Sequence, residues 1–207
     1  MTTTISRLYD DYASASKAVR DLEAAGVPHS EISIVASNAD NWYSNDGKGK
    51  TVDRDRDGVD DRAEGAGTGA GIGATIGGAA GLLAGLGLLA IPGVGPVVAA
   101  GWLAATAAGA VAGGATGGII GALSQAGVSD DDAHVYAEGV RRGGTLVSAR
   151  VPDGDRSRLE AILDRSAVKI SDRGAAYRKA GWKSFDPKAT PYTPDQVRRE
   201  REMYRSL

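Results

Sequence analysis

Two β-α-β patterns flank a long stretch without charge, and together they predict an α+β fold: a ferredoxin-like βαβ…βαβ domain split by an inserted glycine-zipper helical hairpin. Three observations carry this. Apolar residues near each end of the chain alternate in short runs, and between those runs they recur at helical spacing. From Gly65 to Ser129 there is no Asp, Glu, Lys, Arg or His, and within that stretch small residues recur every fourth position. The chain then divides into a first half of the α/β domain (1–37), an acidic linker (38–64), the insert (65–129), a second half (130–171) and a tail (172–207).

The first half opens with Thr3 to Tyr9, rich in Thr, Ile, Leu and Tyr and so a strand. Tyr12, Ala15, Val19 and Leu22 then trace one face of a helix, which Gly26 and Pro28 bring to an end. Ser30 to Ser37 alternates again, with Ile32, Ile34 and Ala36 on one side. In the second half, Asp130 to Arg142 reads as a helix with three aspartates in its first turn, where the helix dipole favours them, and Gly143-Gly144 after it. Thr145 to Val151 is a strand, Asp155 to Ser166 a helix and Ala167 to Ser171 a short last strand. Neither half carries enough apolar residues to stand alone, so the two are expected to pair in a four-stranded antiparallel sheet with helices on one face. In the tail, Thr193, Pro194 and Gln196 form a capping-box pattern that predicts a short polar helix from Pro194 to Arg205. The tail aromatics are expected to fold back on the domain, with partner binding as the alternative.

In the insert, IPGVGP at 91–96 separates two apolar runs, each long enough to cross about 30 Å of hydrocarbon at roughly 1.5 Å per residue. Gly69, Gly73, Gly77, Gly81 and Gly85 are spaced by four, as are Gly101, Ala105, Gly109, Gly113, Gly117 and Gly121. Such spacing lines small residues along one helix ridge, where a second backbone can approach closely. In water each helical glycine costs about 1 kcal/mol relative to alanine, so the pattern needs a compensating contact, in lipid or in a homo-oligomer. Bulky residues such as Leu82, Leu88, Val97 and Trp102 set the stretch apart from a flexible linker. They also cluster around a turn that has no polar side chain, so the tip is expected to be buried.

DRDRDGVDDRAE, from Asp53 to Glu64, satisfies the D-x-D-x-D-G-x5-E calcium-loop pattern. Asp53, Asp55, Asp57, Asp61 and Glu64 would supply carboxylates and Val59 a backbone carbonyl to one hard cation, with Gly58 at the sharp turn. The other reading is a solvated acidic linker neutralised by its own Arg54, Arg56 and Arg62. Calcium is the one cofactor the residues suggest.

Other chemistries find less support. The chain has 207 residues, no cysteine, two histidines and a formal net charge of -2. Thiolate catalysis, disulfides and zinc-thiolate sites are therefore excluded, and without a basic stripe nucleic acid is not an expected partner. A single phenylalanine beside thirty glycines argues against an aromatic-lined small-molecule pocket. The glycine-rich G-x-G-x-x-G spacings near Gly65 follow no βα junction and are expected by chance in so glycine-rich a stretch. The expected protein is not an enzyme. Its N-terminus has no signal-peptide pattern, which leads us to expect a cytoplasmic domain, membrane-associated if residues 65–129 meet lipid.

Three runs carry a resemblance: ISRLYDDYASASKAVRDLEAAGVPHSEISIVAS from Ile5 to Ser37, GLGLLAIPGVGPVVAAGWLAA in the insert, and SDDDAHVYAEGVRRGGTLVSARV from Ser129 to Val151. Through them, over about the first 170 residues, the chain resembles the bacterial general stress protein family of the heat-induced type. The resemblance implies a non-enzymatic protein linked to stress, with no active-site residues to carry over.

Overall fold

The computed structural model describes residues 1–43, 86–112 and 118–204. Its centre is a five-stranded antiparallel sheet in the order β1-β5-β2-β4-β3, with β1 at Thr2–Tyr9, β2 at Ile32–Ser37, β3 at Gly87–Ile91, β4 at Gly95–Gly101 and β5 at Thr145–Pro152. The two halves of the chain meet along β5, which pairs with β1 (Ile5 opposite Ala149) and with β2 (Ile34 opposite Val147). Alternation in the sequence becomes two buried faces. Ile5, Tyr9, Ile32, Ile34, Val147, Ala149 and Val151 line one, while Leu8, Val35, Val97, Ala99 and Leu146 line the other.

The first five helices in chain order are α1 (Tyr12–Ala24), α2 (Trp102–Ala112), α3 (Gly118–Gln125), α4 (Asp130–Arg141) and α5 (Arg156–Leu163). On the first face lie α1 and α5, where Ala15, Val19 and Leu22 pack with Leu159 and Leu163. Asp11 caps α1 by accepting the Ser14 N–H at 2.7 Å, and Gly26 ends the helix at φ +94. The opposite face takes α2, α3 and α4, through Leu103, Ala107, Ile119, Leu123, Tyr136, Ala137 and Val140. Helices therefore cover both faces, where the sequence had suggested one. The reason is that the insert returns bulky apolar residues to the domain, and they need a surface to bury against.

The insert departs furthest from expectation. IPGVGP does not join two helices; it turns a β-hairpin, β3 to β4, in which Leu88 lies opposite Val98 and Leu89 opposite Val97. Pro92 and Pro96 interrupt helix on both sides of the turn, and Gly93 (φ +75) and Gly95 (φ +101) supply the left-handed conformations it needs. The open edge of β2 completes the case, since β4 satisfies it from Ser33 to Ser37. Helix begins only at Trp102, after Gly101 (φ +89).

The last strand expected at Ala167–Ser171 reduces to one bridge, in which the Val168 N–H donates to the Leu8 carbonyl at 2.8 Å beyond β1. Helix α6 (Ile170–Lys179) takes over from there. Ser171, Asp172 and the alanines that follow favour a helix start over a strand, and Tyr177 is buried with Val135 of α4. The tail ends in α7 (Pro194–Tyr204), where the expected capping box is formed reciprocally: the Thr193 N–H donates to Gln196 Oε1 at 2.8 Å and the Gln196 N–H to Thr193 Oγ1 at 3.3 Å.

Candidate functional site

Of the small residues spaced by four, Gly69, Gly73, Gly77, Gly81, Gly85, Gly113 and Gly117 lie outside the described residues. The four that are described do different things. Gly101 belongs to β4, where an added Cβ would overlap the Ile32 carbonyl oxygen of β2, so this glycine serves a strand contact rather than a helix ridge. Gly109, on α2, is exposed, and Gly121, on α3, is half-buried; a Cβ built on either meets no described atom within 4 Å. Ala105 is exposed beside them, whereas Leu103 and Ala107 of the same helix are buried. Helix α2 thus turns Leu103, Ala104 and Ala107 inward and Ala105 and Gly109 outward. The uncharged edge strand β3 adds Leu88, 41% exposed, to the apolar surface contributed by the insert.

The hairpin tip is buried, and its cover is the tail. Ile91 and Val94 are 4% and 1% exposed and share a cluster with Phe185, which is 5% exposed. Phe185, Asp186 and Pro187 close over Gly93, and Pro191 closes over Gly95, so tightly that neither glycine has room for a side chain. Burial of the tip was expected; burial by the chain's own tail was one of the two readings open for that segment.

What holds the tail is largely charge. Glu138 of α4 is fully buried and accepts from Arg142 Nε at 2.7 Å, with Arg141 Nη1 at 3.3 Å. Arg142 reaches on to Glu200 of α7 at 2.7 Å and lies over the Tyr177 ring at 4.3 Å. Burial lowers the Arg142 pKa, but Glu138 and Glu200 outweigh it and leave the guanidinium more firmly protonated than usual. Arg201 donates to the Gly143 carbonyl at 2.9 Å and pairs with Asp40 at 2.7 Å. Arg141 donates to the Thr190 carbonyl at 3.0 Å with its guanidinium 4.4 Å from the Tyr192 ring centre. Burial raises the Tyr177 phenol to about 12, with Arg173 and Arg142 opposing. Sequence reading passed over Glu138, Arg141 and Arg142. Their one visible signal was the four-residue spacing of Glu138 and Arg142 on a helix, which normally marks a solvated pair.

The calcium-loop residues Asp53, Asp55, Asp57, Val59, Asp61 and Glu64 lie outside the described residues. Among the described residues no group of three or more His, Asp or Glu side chains is placed to hold a metal. His134 is half-buried, and its Nδ1 accepts the Phe185 N–H at 3.2 Å. This ties it to the tail. A cleft of about 460 Å³ lies between the end of α1 and the start of α5, but its charges are already paired: Arg150 with Glu31 at 2.8 Å, Arg158 with Asp155 at 3.1 Å. No helix among the described residues is long and apolar enough to cross a membrane. Comparisons with family models, with curated proteins and with solved structures find no match to this chain.

Proposed function

We propose that the chain is a non-enzymatic bacterial stress protein that works by self-association through its central uncharged segment. The observation that carries this reading is the orientation of α2: Ala105 and Gly109 face outward while Leu103 and Ala107 are spent on the core. An exposed glycine weakens a helix by about 1 kcal/mol and is useful where another backbone must come close. The order Val168–β1–β5–β2, with α1 and α5 together on one face, supports the ferredoxin-like reading of the domain beneath. The stress setting rests on the resemblance of the sequence runs to the general stress proteins.

Self-association is favoured over insertion of the described part of this segment into lipid. To enter a bilayer, residues 86–112 would have to give up the pairing of β4 with β2 and the burial of Val97, Val98 and Leu103, each fully buried. Lipid would keep those side chains dry, but the core partners they leave behind, such as Val35 and Leu146, would meet water at ~1.5–3 kcal/mol each, and little in a glycine-rich run compensates. The test is light scattering after size-exclusion chromatography without detergent, on the natural chain and on Gly109→Leu and Gly121→Leu. We expect an oligomer that both substitutions weaken at least tenfold in dissociation constant. A natural chain that runs as a monomer up to 100 μM (roughly the range of weak specific association), or an oligomer indifferent to both substitutions, would defeat the reading.

A further inference from the structure

The sheet ends in two edge strands, and they are treated differently. At β1 the Val168 N–H already donates to the Leu8 carbonyl, and Arg7 of the same strand is paired with Asp164 and Glu160. At β3 the sequence GLLAI carries no charge, no proline and no bulge, the devices by which edge strands are kept from pairing. The ladder shows which of its backbone groups are bare. Beyond β2 the Asn38 N–H donates to the Pro96 carbonyl at 2.8 Å, so Pro96, and with it Val98 and Ala100, turn their peptide groups toward β2. Gly95, Val97 and Ala99 then face β3 and pair with Ile91, Leu89 and Gly87. Leu88 and Ala90 are left with N–H and C=O turned away from β4, and among the described residues no further strand lies there. Their side chains are exposed as well. The bare stretch is bounded on both sides: the Tyr43 hydroxyl donates to the Leu86 carbonyl at 3.1 Å before it, and Pro92, which has no N–H, opens the turn after it.

We infer that β3 pairs antiparallel with β3 of a second copy about a two-fold axis at Leu89, joining the two sheets into one. This names a contact for the self-association proposed above and rests on that reading. The occupant is a second copy because the edge is its own complement. An axis at Leu89 sets Leu88 opposite Ala90 of the second copy, and Ala90 opposite its Leu88, so that each pair exchanges both hydrogen bonds and no bare group is left over. GLLAI has no charge by which to select a different peptide. Leu89 packs at the border of the cluster that holds Leu103 and Ala107 of α2, so the same pairing brings α2 of each copy toward the axis.

The chain has no cysteine, so one introduced thiol reports on one register. In the full chain, Leu89→Cys would meet its own copy across a non-hydrogen-bonded pair, with Cα atoms about 4.5 Å apart and within disulfide reach. Leu88→Cys would lie on the diagonal, roughly 7–8 Å from its own copy and beyond that reach. With a mild oxidant, at a concentration where the natural chain is an oligomer, Leu89→Cys is expected to cross-link at least tenfold faster than Leu88→Cys. Exposure alone would give the reverse order, since Leu88 is the more exposed of the two; equal or reversed rates would overturn the pairing. Ala90→Pro removes an N–H that β4 does not use, and Leu88→Lys sets like charges near the axis. Each is expected to weaken the oligomer at least tenfold in dissociation constant by light scattering, with the far-UV circular dichroism of the natural chain retained; the lysine variant serves should proline disturb the hairpin. An oligomer weakened by Gly109→Leu and Gly121→Leu but indifferent to both edge substitutions would overturn β3 pairing and leave self-association standing. A natural chain that stays monomeric at about 100 μM would defeat both and leave the edge to a strand of another protein.

Discussion

Gly101 and Gly109 sit in the same row of small residues and have opposite needs. At Gly101 the backbone is left-handed and the β2 carbonyl of Ile32 occupies the place of a side chain. Alanine there incurs both the conformational strain and the overlap, and should destabilise the chain by about 3 kcal/mol. At Gly109 the backbone is helical and the space is open, so alanine should stabilise the single chain by roughly 1 kcal/mol. Urea unfolding at a concentration low enough to keep the chain monomeric checks both; two substitutions of equal effect would contradict this assignment. Spacing alone could not separate the two glycines, because a period of four reports helical register only where the backbone is helical.

Elements bounded by strong local chemistry were legible in advance, and those bounded by competition for a partner were not. Helix α4 is of the first kind. Ser129 accepts the Asp132 N–H at 3.2 Å, three aspartates fill the first turn and Gly143 follows the end. Replacing Ser129 with alanine should cost about 1 kcal/mol, read as a lower midpoint of thermal unfolding with α4 still formed. The pair β3 and β4 is of the second kind. Their residues are as apolar as a membrane helix, and the choice between helix and strand fell to the unpaired edge of β2 and to the prolines of the turn. Likewise Val168 reached β1 but its neighbours did not, because α6 could bury Tyr177 against α4.

Across the whole molecule, two tyrosines tie the layers together. Tyr136 of α4 donates to the Ser6 carbonyl of β1 at 2.7 Å, and Tyr177 of α6 packs edge-on to Tyr204 of α7 with ring centres 5.1 Å apart. Burial raises both phenols to about 12, with nearby arginines opposing. In the unfolded chain they lose their protons near pH 10. Between about pH 10 and 12 the folded state therefore binds more protons than the unfolded one, and stability falls as pH rises. Their contribution is intact below pH 10 and is lost through pH 12, on the order of 2–3 kcal/mol for each. Urea midpoints measured from pH 8 to 12 should stay level at first and then drop; a level course to pH 12 would count against this coupling.

By itself, the sequence determined the two α/β halves, their strand faces, the ends of α1 and α4, the capping box of α7, and the placement of one uncharged segment between them. All of these follow from contacts within a few residues or from alternation along one element. Tertiary structure decided where that segment's bulk would go. Val97 and Val98 joined the sheet because β2 offered an edge, the hairpin tip was covered because Phe185 could reach it, and Glu138 was buried because two arginines and the tail closed around it. Each outcome depends on groups far apart in the chain, whose free energies of pairing and burial no local pattern contains.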